Sequence, residues 1–208
     1  MKSWLAKTRR PIRSGDSDFD LEHFIRVGRQ PPALPGVFRA LKMAITFVTT
    51  TSHGTWLPGD LRGYVRRGVI LPGDPQLLKL SRHRLKSKPV YFARSERRHL
   101  FLALVDACSE FGYRLSDVAI ETWHLHWILF HGDDRIEKVV GRLKTRMRQA
   151  LTRGRIWTEG YCAEPLFDNV AVEQVQEYIA WHEGCMMIDG RVVDRANPRQ
   201  SRGLPASR

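Results

Sequence analysis

A short apolar run, Trp123–Phe130, constrains the fold of this chain more than any other feature. In a β-strand successive side chains alternate between two faces, so His124 and His126 lie on one face and Leu125 on the other. Apart from its histidines the run is apolar on both faces, which is typical of a central strand covered by protein on each side. The sequence therefore predicts a sheet with helices on both faces and two imidazoles held side by side within it.

The other elements follow in an order that indicates the fold class. Side-chain spacing and propensity predict a strand at Met43–Thr50, a long connection to about Tyr91, a helix at Ser95–Phe111, strands at Tyr113–Thr122 and Trp123–His131, a helix at Arg135–Arg153, a strand at Glu164–Phe167 and a helix at Ala171–Glu183. The order βαββαβ followed by a helix is that of a ferredoxin-like α+β protein with an antiparallel sheet and an extra C-terminal helix. Ser95 and Asn169 are the predicted N-caps of the first and last helices. Two helices cover one face of such a sheet, so the extra helix is expected to cover the face that carries the histidines.

The length of 208 residues predicts one folded domain with flanking segments. Residues 1–40 are expected to form an N-terminal extension largely outside the core, residues 41–188 the folded domain, and residues 189–208 a basic, disordered tail. Met43 stands directly before the first predicted strand, so an upstream start assigned in error would also explain residues 1–42.

The charge of the chain indicates a polyanionic partner. There are 34 Lys and Arg residues against 22 Asp and Glu, a formal net charge of +12, and nucleic acid is the commonest polyanion bound by basic proteins. Charge that serves solubility and contact with an anionic membrane surface are the alternatives.

No apolar stretch reaches the roughly 18–20 residues of a membrane span, and the N-terminus lacks the apolar core of a secretory signal. The 3 cysteines form no CxxC pair, which favours thiols in a reducing cytoplasm.

The predicted last helix supplies the other half of a candidate metal site. Tyr178 and His182 lie four residues apart and so share one helix face. Val172, Val175 and Ile179 form the stripe expected to pack on the sheet. Three imidazoles suit Mn²⁺ or Zn²⁺ by softness, and phosphate and water ligands keep Mg²⁺ open as well. With a tyrosine beside such a metal, the pattern indicates metal-assisted phosphoryl transfer to a tyrosine.

Simpler interpretations of the same residues stay open. With 8 histidines in the chain, a His-x-His is expected by chance about 0.3 times, and Tyr178 can be a packing residue of an amphipathic helix. Cys162 and Cys185 can join histidines in a zinc site, although their spacing matches no closed Cys/His pattern. His53 and His131 have no partner at a recognisable spacing and are expected to be structural.

Aromatic and basic side chains are candidate nucleic-acid contacts. Trp56 and Trp157 lie in predicted loops and are expected to stack on unpaired bases. Trp123 and Trp127 share the face of Leu125 and are expected in the core. The predicted phosphate contacts are Arg62, Arg66 and Arg67 in the long connection and Lys144, Arg146 and Arg148 on the basic helix. For each of these positions a solvated surface charge is the alternative.

Several of these segments resemble the motifs of one enzyme family. His124-Leu125-His126 on an apolar strand, Trp157–Tyr161 and Tyr178-Ile179 on a late helix are similar to motifs of the single-tyrosine HUH transposases, and most similar to those of the REP-associated tyrosine transposases. The segment Thr55–Asp60, followed by Arg62-Gly63, resembles a stretch common in one branch of that group. The resemblance covers roughly residues 43–188 and leaves both ends of the chain outside.

The resemblance implies an HUH endonuclease fold in which His124 and His126 bind Mg²⁺ or Mn²⁺ and Tyr178 is the nucleophile. It also implies cleavage and rejoining of single-stranded DNA at a hairpin-forming repeat, through a covalent 5′-phosphotyrosine and a released 3′-hydroxyl. In the family the third ligand, one turn after the tyrosine, is usually Asn or Gln and is often followed by Pro, whereas here His182 is followed by Glu183. This departure leaves open a stronger ligand, a changed metal preference, an eroded site or a role shared by Glu183.

Two other functions share these features. A catalytically inactive protein of the same fold would bind DNA or RNA through the same charge and form no covalent adduct. A rolling-circle replication initiator or relaxase would use the same active-site design at a replication or transfer origin. The resemblance also leaves a homodimer open as the assembly.

Overall fold

An antiparallel sheet of six strands organises the computed structural model, which describes residues 44–66 and 69–193. The predicted N-terminal extension, Met43, Arg67 and the tail beyond residue 193 lie outside the described residues. The strands are β1 (Ala44–Thr51), β2 (Tyr64–Arg66), β3 (Val69–Leu71), β4 (Arg114–Ile120), β5 (His124–His131), β6 (Cys162–Pro165), β7 (Cys185–Ile188) and β8 (Arg191–Val192). The helices are α1 (Pro75–His83), α2 (Arg94–Phe111), α3 (Ile136–Ala150) and α4 (Asn169–Trp181). None of the helices in the described part of the chain is long and apolar enough to cross a membrane.

The strand order of the sheet confirms the predicted α+β class. The sheet runs β6-β1-β5-β4-β7-β8, and β2 pairs with β3 in a separate hairpin. The four strands β6-β1-β5-β4 form the βαββαβ core with the predicted helices between them. On β5, His126 pairs with Thr49 of β1 on one side and with Ala119 of β4 on the other. The run that contains the two histidines is therefore a central strand, as its apolar character predicts.

The two faces of the sheet are covered differently. On the two-helix face, Leu125, Trp127 and Leu129 of β5 are fully buried in one core cluster. That cluster also contains the inward residues of α2 and α3, among them Leu100, Leu104, Leu143 and Met147. On the one-helix face, Ile128 of β5 packs with Ile179 of α4. The predicted cover of two helices on one side and the tyrosine helix on the other is confirmed.

Several element ends differ from the prediction because local hydrogen bonds override propensity. The N–H of Ala93 donates to the Glu96 carboxylate at 2.9 Å, so α2 begins at Arg94 with Ala93 as its cap and not at Ser95. Asp168 accepts from the N–H of Ala171 at 2.7 Å and caps α4 in place of Asn169. The long connection also contains α1 and the β2–β3 hairpin, which the sequence analysis did not predict.

The first five residues of the expected tail, 189–193, belong to the sheet, and the rest of it lies outside the described residues. Residues 189–193 form a turn and strand β8, which extends the sheet beyond β7. Between α4 and β7, the O of Gly184 accepts from the N–H of Ile120 at 2.8 Å, and a Cβ at Gly184 would lie 2.1 Å from the O of Ile120. Only glycine permits that approach. It fixes the point at which the chain leaves α4 and returns to the sheet.

A buried carboxylate fastens α4 to the sheet. Asp117 on β4 is fully buried and accepts from Nε2 of Gln176 at 3.0 Å and from the N–H of Asp189 at 3.0 Å. Ser116 donates to the same carboxylate. Each of these donors satisfies a group whose burial without a partner would cost free energy. The tyrosine helix is therefore held through polar contacts as well as through its apolar stripe.

Candidate metal and tyrosine site

His126 is held in a fixed orientation by the neighbouring strand. The side chain is fully buried on β5, and its Nδ1 lies 2.7 Å from Oγ1 of Thr49 on β1. In the tautomer whose Nδ1–H donates to this hydroxyl, Nε2 keeps its lone pair. That nitrogen lies 3.4 Å from the hydroxyl of Tyr178. Thr49 therefore fixes the orientation of the His126 ring, a contact that the sequence analysis did not predict.

Three histidine rings come together beside this position. The ring centroids of His124 and His126 are 4.8 Å apart, and those of His126 and His182 are 4.7 Å apart. One ring nitrogen from each of the three lies within 4.8 Å of the others, the one such group of potential metal ligands among the described residues. Cys162 and Glu183 are not part of the group, and Glu183 is exposed. The geometry favours His182 over Glu183 as the third ligand.

Burial keeps the imidazoles of His124 and His126 neutral at neutral pH. Burial, together with the nearby charge of His182, lowers the pKa of His124 to about 3. Burial also lowers the pKa of His126 well below its ordinary value. Neutral imidazoles carry the lone pairs that divalent metals need. The Nδ1 of His124 is buried without a hydrogen-bond partner, which fits a donor set waiting for a cation.

Tyr178 stands beside the three histidines. Its ring centroid is 4.9 Å from that of His182, and its edge meets Phe47 of β1 at a centroid distance of 6.1 Å. Burial, followed by the negative charge of Glu121, raises the pKa of the Tyr178 hydroxyl. The phenol is therefore protonated at neutral pH in the absence of a cation. The structure thus brings Tyr178 and His182 next to His124 and His126.

His182 differs from its predicted position in one respect. It is the first residue beyond α4, with φ −68° and ψ 137°, and so does not lie on the helix face shared with Tyr178. The helix ends early because Gly184, two residues on, packs against the backbone of Ile120. The ring still reaches the cluster from this extended residue.

Glu121 was missed by the sequence analysis although it contacts the site. Its Oε1 accepts from the N–H of Gly184 at 2.8 Å and lies 3.4 Å from Nδ1 of His182. Burial raises the pKa of this carboxyl, but His182 and the N–H of Gly184 outweigh it and lower the pKa to about 2. The residue sits in the turn between β4 and β5, three positions before His124. An acidic residue next to a His-x-His strand was the available signal.

A cluster of two tryptophans and an arginine borders His124. The guanidinium of Arg62 lies 4.5 Å from the ring of Trp123 and 5.4 Å from that of Trp56. Arg62 also donates to the Asp60 carboxylate at 2.8 Å and to the O of Thr55 at 3.0 Å. Trp123 is therefore half-buried under Arg62 and is not the core residue that was expected. Most Arg62 donors hold this loop together, which leaves fewer of them for a phosphate.

Trp157 and Lys144 take structural positions. Trp157 is 7% exposed, packs on Phe92 and donates its Nε1 to the O of Lys144 at 2.8 Å. A ring with so little exposed surface offers no face to a base, so its predicted stacking role does not fit this placement. The Nζ of Lys144 donates to the carbonyls of Thr158 and Gly160 at 3.0 and 2.7 Å. Burial lowers the pKa of Lys144 to about 8.

The remaining predicted DNA contacts lie away from the histidines. Arg146 pairs with Glu110 of α2, and Arg148 is exposed on α3. Both belong to the two-helix face, whereas Tyr178 belongs to the cluster on the one-helix face. Arg66 lies in β2, and its side chain is not among those described. A strand of DNA bound at Tyr178 would have to pass around the edge of the sheet to reach α3.

Trp181 is an exposed aromatic residue that the sequence analysis did not single out. Its side chain is 64% exposed at the last position of α4, directly before His182 and three residues after Tyr178. An indole in water beside a reactive site is a stacking surface for an unpaired base. The sequence contains 6 tryptophans, and which of them is exposed depends on which face of α4 packs on the sheet.

Comparison with known proteins finds 7 solved chains of similar structure, among them the following two. Over 73% of this chain and 70% of the other, the similarity is to a REP-associated tyrosine transposase bound to a REP hairpin, with 12% sequence identity and a TM-score of 0.45. Over 74% of this chain and 98% of the other, it is to a protein assigned as a transposase from Deinococcus radiodurans R1, with 14% identity and a TM-score of 0.38. No protein-family model and no curated protein sequence matches the chain significantly.

Proposed function

We propose that the protein cleaves and rejoins single-stranded DNA through Tyr178, with a divalent metal, Mg²⁺ or Mn²⁺, held by His124, His126 and His182. One observation carries this proposal. Three ring nitrogens lie within 4.8 Å of one another, and the hydroxyl of Tyr178 is 3.4 Å from the nearest ring nitrogen of His126. A tyrosine that only packs, or a histidine that is only structural, does not require the three imidazoles and the phenol to lie together. A ligand set with a nucleophile beside it is the arrangement that metal-assisted phosphoryl transfer requires.

The reaction exchanges one phosphoester for another. When bound, the metal would withdraw charge from a non-bridging phosphate oxygen and orient the ester. The Oη of Tyr178 attacks phosphorus, and the bond from phosphorus to the 3′ oxygen breaks. The phenol proton is finally carried by the released 3′-hydroxyl, so no oxidant or further reactant is consumed. Because the 5′-phosphotyrosine retains the ester, a second 3′-hydroxyl can attack it and rejoin the strand.

The surrounding residues position the nucleophile Tyr178 and the proposed metal ligand His126. Thr49 fixes the ring of His126, and Phe47 packs against both that ring and Tyr178. The apolar stripe of α4 holds the tyrosine over the sheet through Ile179, which is fully buried. Groups that folding already holds in the reactive geometry need not lose that orientational entropy during the reaction. All the groups come from one chain, so the proposed site does not depend on a homodimer.

The substrate we propose is a hairpin-forming repeat with an unpaired flank. The net charge of +12 favours a polyanion, and the exposed Trp181 offers a surface for an unpaired base next to the nucleophile. The hairpin itself comes from the resemblance of the His124-Leu125-His126 and Tyr178 motifs to the REP-associated transposases. A protein acting on bacterial DNA in this way would work at the nucleoid.

A covalent-adduct assay tests the proposal. End-labelled hairpins from repeats flanking the gene are incubated with the protein and Mn²⁺ or Mg²⁺ and resolved on a denaturing gel. We expect a metal-dependent protein–DNA band that disappears in Tyr178→Phe and His126→Ala. Tyr91→Phe is the matched control, because Tyr91 is 60% exposed in the long connection and should leave the band unchanged.

The alternatives give different gels. Retarded complexes on a native gel with no covalent band under either metal would contradict the proposal and favour a DNA- or RNA-binding protein without catalysis. Adducts formed on a replication or transfer origin, but not on the flanking repeats, would contradict the proposed substrate and favour an initiator or relaxase.

A further inference from the structure

The ring of His182 is not fixed by a helix. His182 follows the last residue of α4 in an extended conformation, and its own N–H donates to the O of Ile179 at 3.2 Å. Helix geometry therefore does not restrict the rotamer of this side chain. A metal ligand has to be held in one orientation to bind well. Another group must therefore hold this ring.

Glu121 is placed to do so from the opposite side of the loop. Its Oε1 lies 3.4 Å from Nδ1 of His182, and the same oxygen accepts from the N–H of Gly184 at 2.8 Å. Its Oε2 lies 3.9 Å from a guanidinium nitrogen of Arg97 on α2. We propose that Glu121 is a positioning residue, whose carboxylate fixes the ring and tautomer of His182 so that the other ring nitrogen serves the metal. This inference rests on the metal site of the proposed function.

The carboxylate is itself held firmly. Glu121 directly follows strand β4, and the neighbouring Ile120 donates to the O of Gly184 at 2.8 Å. The loop that carries His182 is therefore bonded to the Glu121 segment through the backbone and through the carboxylate. With Nδ1–H donating to a carboxylate, an imidazole keeps a lone pair on Nε2 and becomes a stronger ligand.

The pairing also accounts for the departure at the third ligand position. An amide side chain offers its oxygen to a metal without needing a carboxylate behind it. An imidazole has two nitrogens, and the one that does not bind the metal needs an acceptor for its proton. Glu121 supplies that acceptor for His182. We therefore expect the effect of Glu121 to depend on a histidine at position 182.

A double-mutant cycle on the full chain tests this dependence. Mn²⁺ dissociation constants are measured by electron paramagnetic resonance for the wild type, Glu121→Gln, His182→Gln and the double variant. Glu121→Gln keeps the size of the side chain and an oxygen for the N–H of Gly184. We expect it to weaken Mn²⁺ binding about tenfold or more in the wild-type background, and less than twofold when residue 182 is Gln. Glu183→Gln, an exposed carboxylate next to His182, should change the affinity less than twofold.

A second readout does not involve metal. In ¹⁵N-histidine spectra of the metal-free protein, we expect His182 to carry its proton on Nδ1 in the wild type and to populate both tautomers in Glu121→Gln. Any general loss of stability is common to both backgrounds of the cycle and cancels in the coupling. Unchanged Mn²⁺ affinity in Glu121→Gln, an equal loss in both backgrounds, or unchanged tautomers would overturn the inference. Absence of Mn²⁺ binding by the wild type would instead overturn the metal site of the proposed function.

Discussion

The two faces of the sheet make different uses of adjacent residues on one strand. On the two-helix face, Leu125 and Trp127 are fully buried under α2 and α3. On the one-helix face, His124 and His126 meet His182 and Tyr178, where α4 ends. The first face is closed by apolar contacts. The second face is closed by apolar contacts only along α4, and the three histidines lie together at the C-terminal end of that helix.

This difference teaches where such a fold can place a reactive site. A β-strand side chain on a closed face contributes mainly to stability. When it is truncated, the protein loses the dispersion contacts and the transfer free energy of the buried atoms. At the end of the other face, the side chain of His124 lies outside the two apolar clusters and is placed where a ligand can reach it. Because the period of a strand is two, the alternation puts stability and function on neighbouring residues.

The largest expected contrast is between Leu125→Ala and His124→Ala. Leu125→Ala should lower the free energy of unfolding by about 2–5 kcal/mol, since it opens a cavity in the two-helix core, and should leave Mn²⁺ affinity unchanged in the folded protein. His124→Ala should weaken Mn²⁺ binding more than about 100-fold, because it removes a ligand. It should change metal-free stability by no more than about 1 kcal/mol, since Nδ1 of His124 has no hydrogen-bond partner to lose. Urea denaturation and calorimetric Mn²⁺ titration measure the two effects, and similar profiles for both variants would contradict the division.

The next effect concerns the polar attachment of the tyrosine helix. Asp117→Ala should lower the free energy of unfolding by about 2–4 kcal/mol, because the hydroxyl of Ser116, the amide of Gln176 and the N–H of Asp189 lose their acceptor. Adduct formation should fall as well, since Gln176 lies on α4 two residues before Tyr178. Asp106→Ala, an exposed carboxylate on α2, is the control and should change stability by less than about 0.5 kcal/mol. Equal stability of the two variants would show that apolar packing alone holds α4.

A smaller effect is expected from exposed apolar residues on the two faces. Trp181→Ala should weaken binding of a labelled single-stranded hairpin about tenfold, because an exposed indole stacks on an unpaired base. Leu102→Ala, at an exposed position on α2, should change that affinity less than twofold. Fluorescence anisotropy without metal measures both. A larger loss in Leu102→Ala than in Trp181→Ala would indicate that DNA lies on the two-helix face instead.

The last expected effect is a pH dependence of stability on the two-helix side. Burial lowers the pKa of Lys144 to about 8 from 10.5, so the folded state disfavours the charged ammonium. That cost is complete below pH 8 and disappears as pH rises toward 10.5. As pH rises between these limits, the wild type should therefore gain stability relative to Lys144→Met. Tm values of both proteins at pH 7.5 and pH 10 measure this gain. A Tm difference that is independent of pH would show that the carbonyls of Thr158 and Gly160 fully replace the lost hydration.

The parts of this architecture that depend on local periodicity were predictable. The central strand follows from the apolar run around His124 and His126, and the position of α4 follows from its stripe of Val172, Val175 and Ile179. In each case the signal lies within a few residues of the element that it predicts.

The contacts that adjust the site were not predictable, because they join distant parts of the chain. Thr49 meets His126 across two strands, and Glu121 meets His182 only because Gly184 lets the loop approach β4. Trp157 reads as a loop residue in the sequence, yet it is buried because the segment returns to pack on α2 and α3. Ring orientation and burial of this kind are properties of tertiary packing and leave no local pattern.

The central claim is that Tyr178 becomes covalently joined to a DNA 5′ end. The most direct measurement digests the metal-dependent adduct with protease and nuclease and sequences the modified peptide by mass spectrometry. The account predicts a single peptide whose Tyr178 carries a 5′-linked phosphonucleotide, with a free 3′-hydroxyl on the released strand. A nucleotide on another residue, or cleavage that leaves no phosphotyrosine, would contradict it.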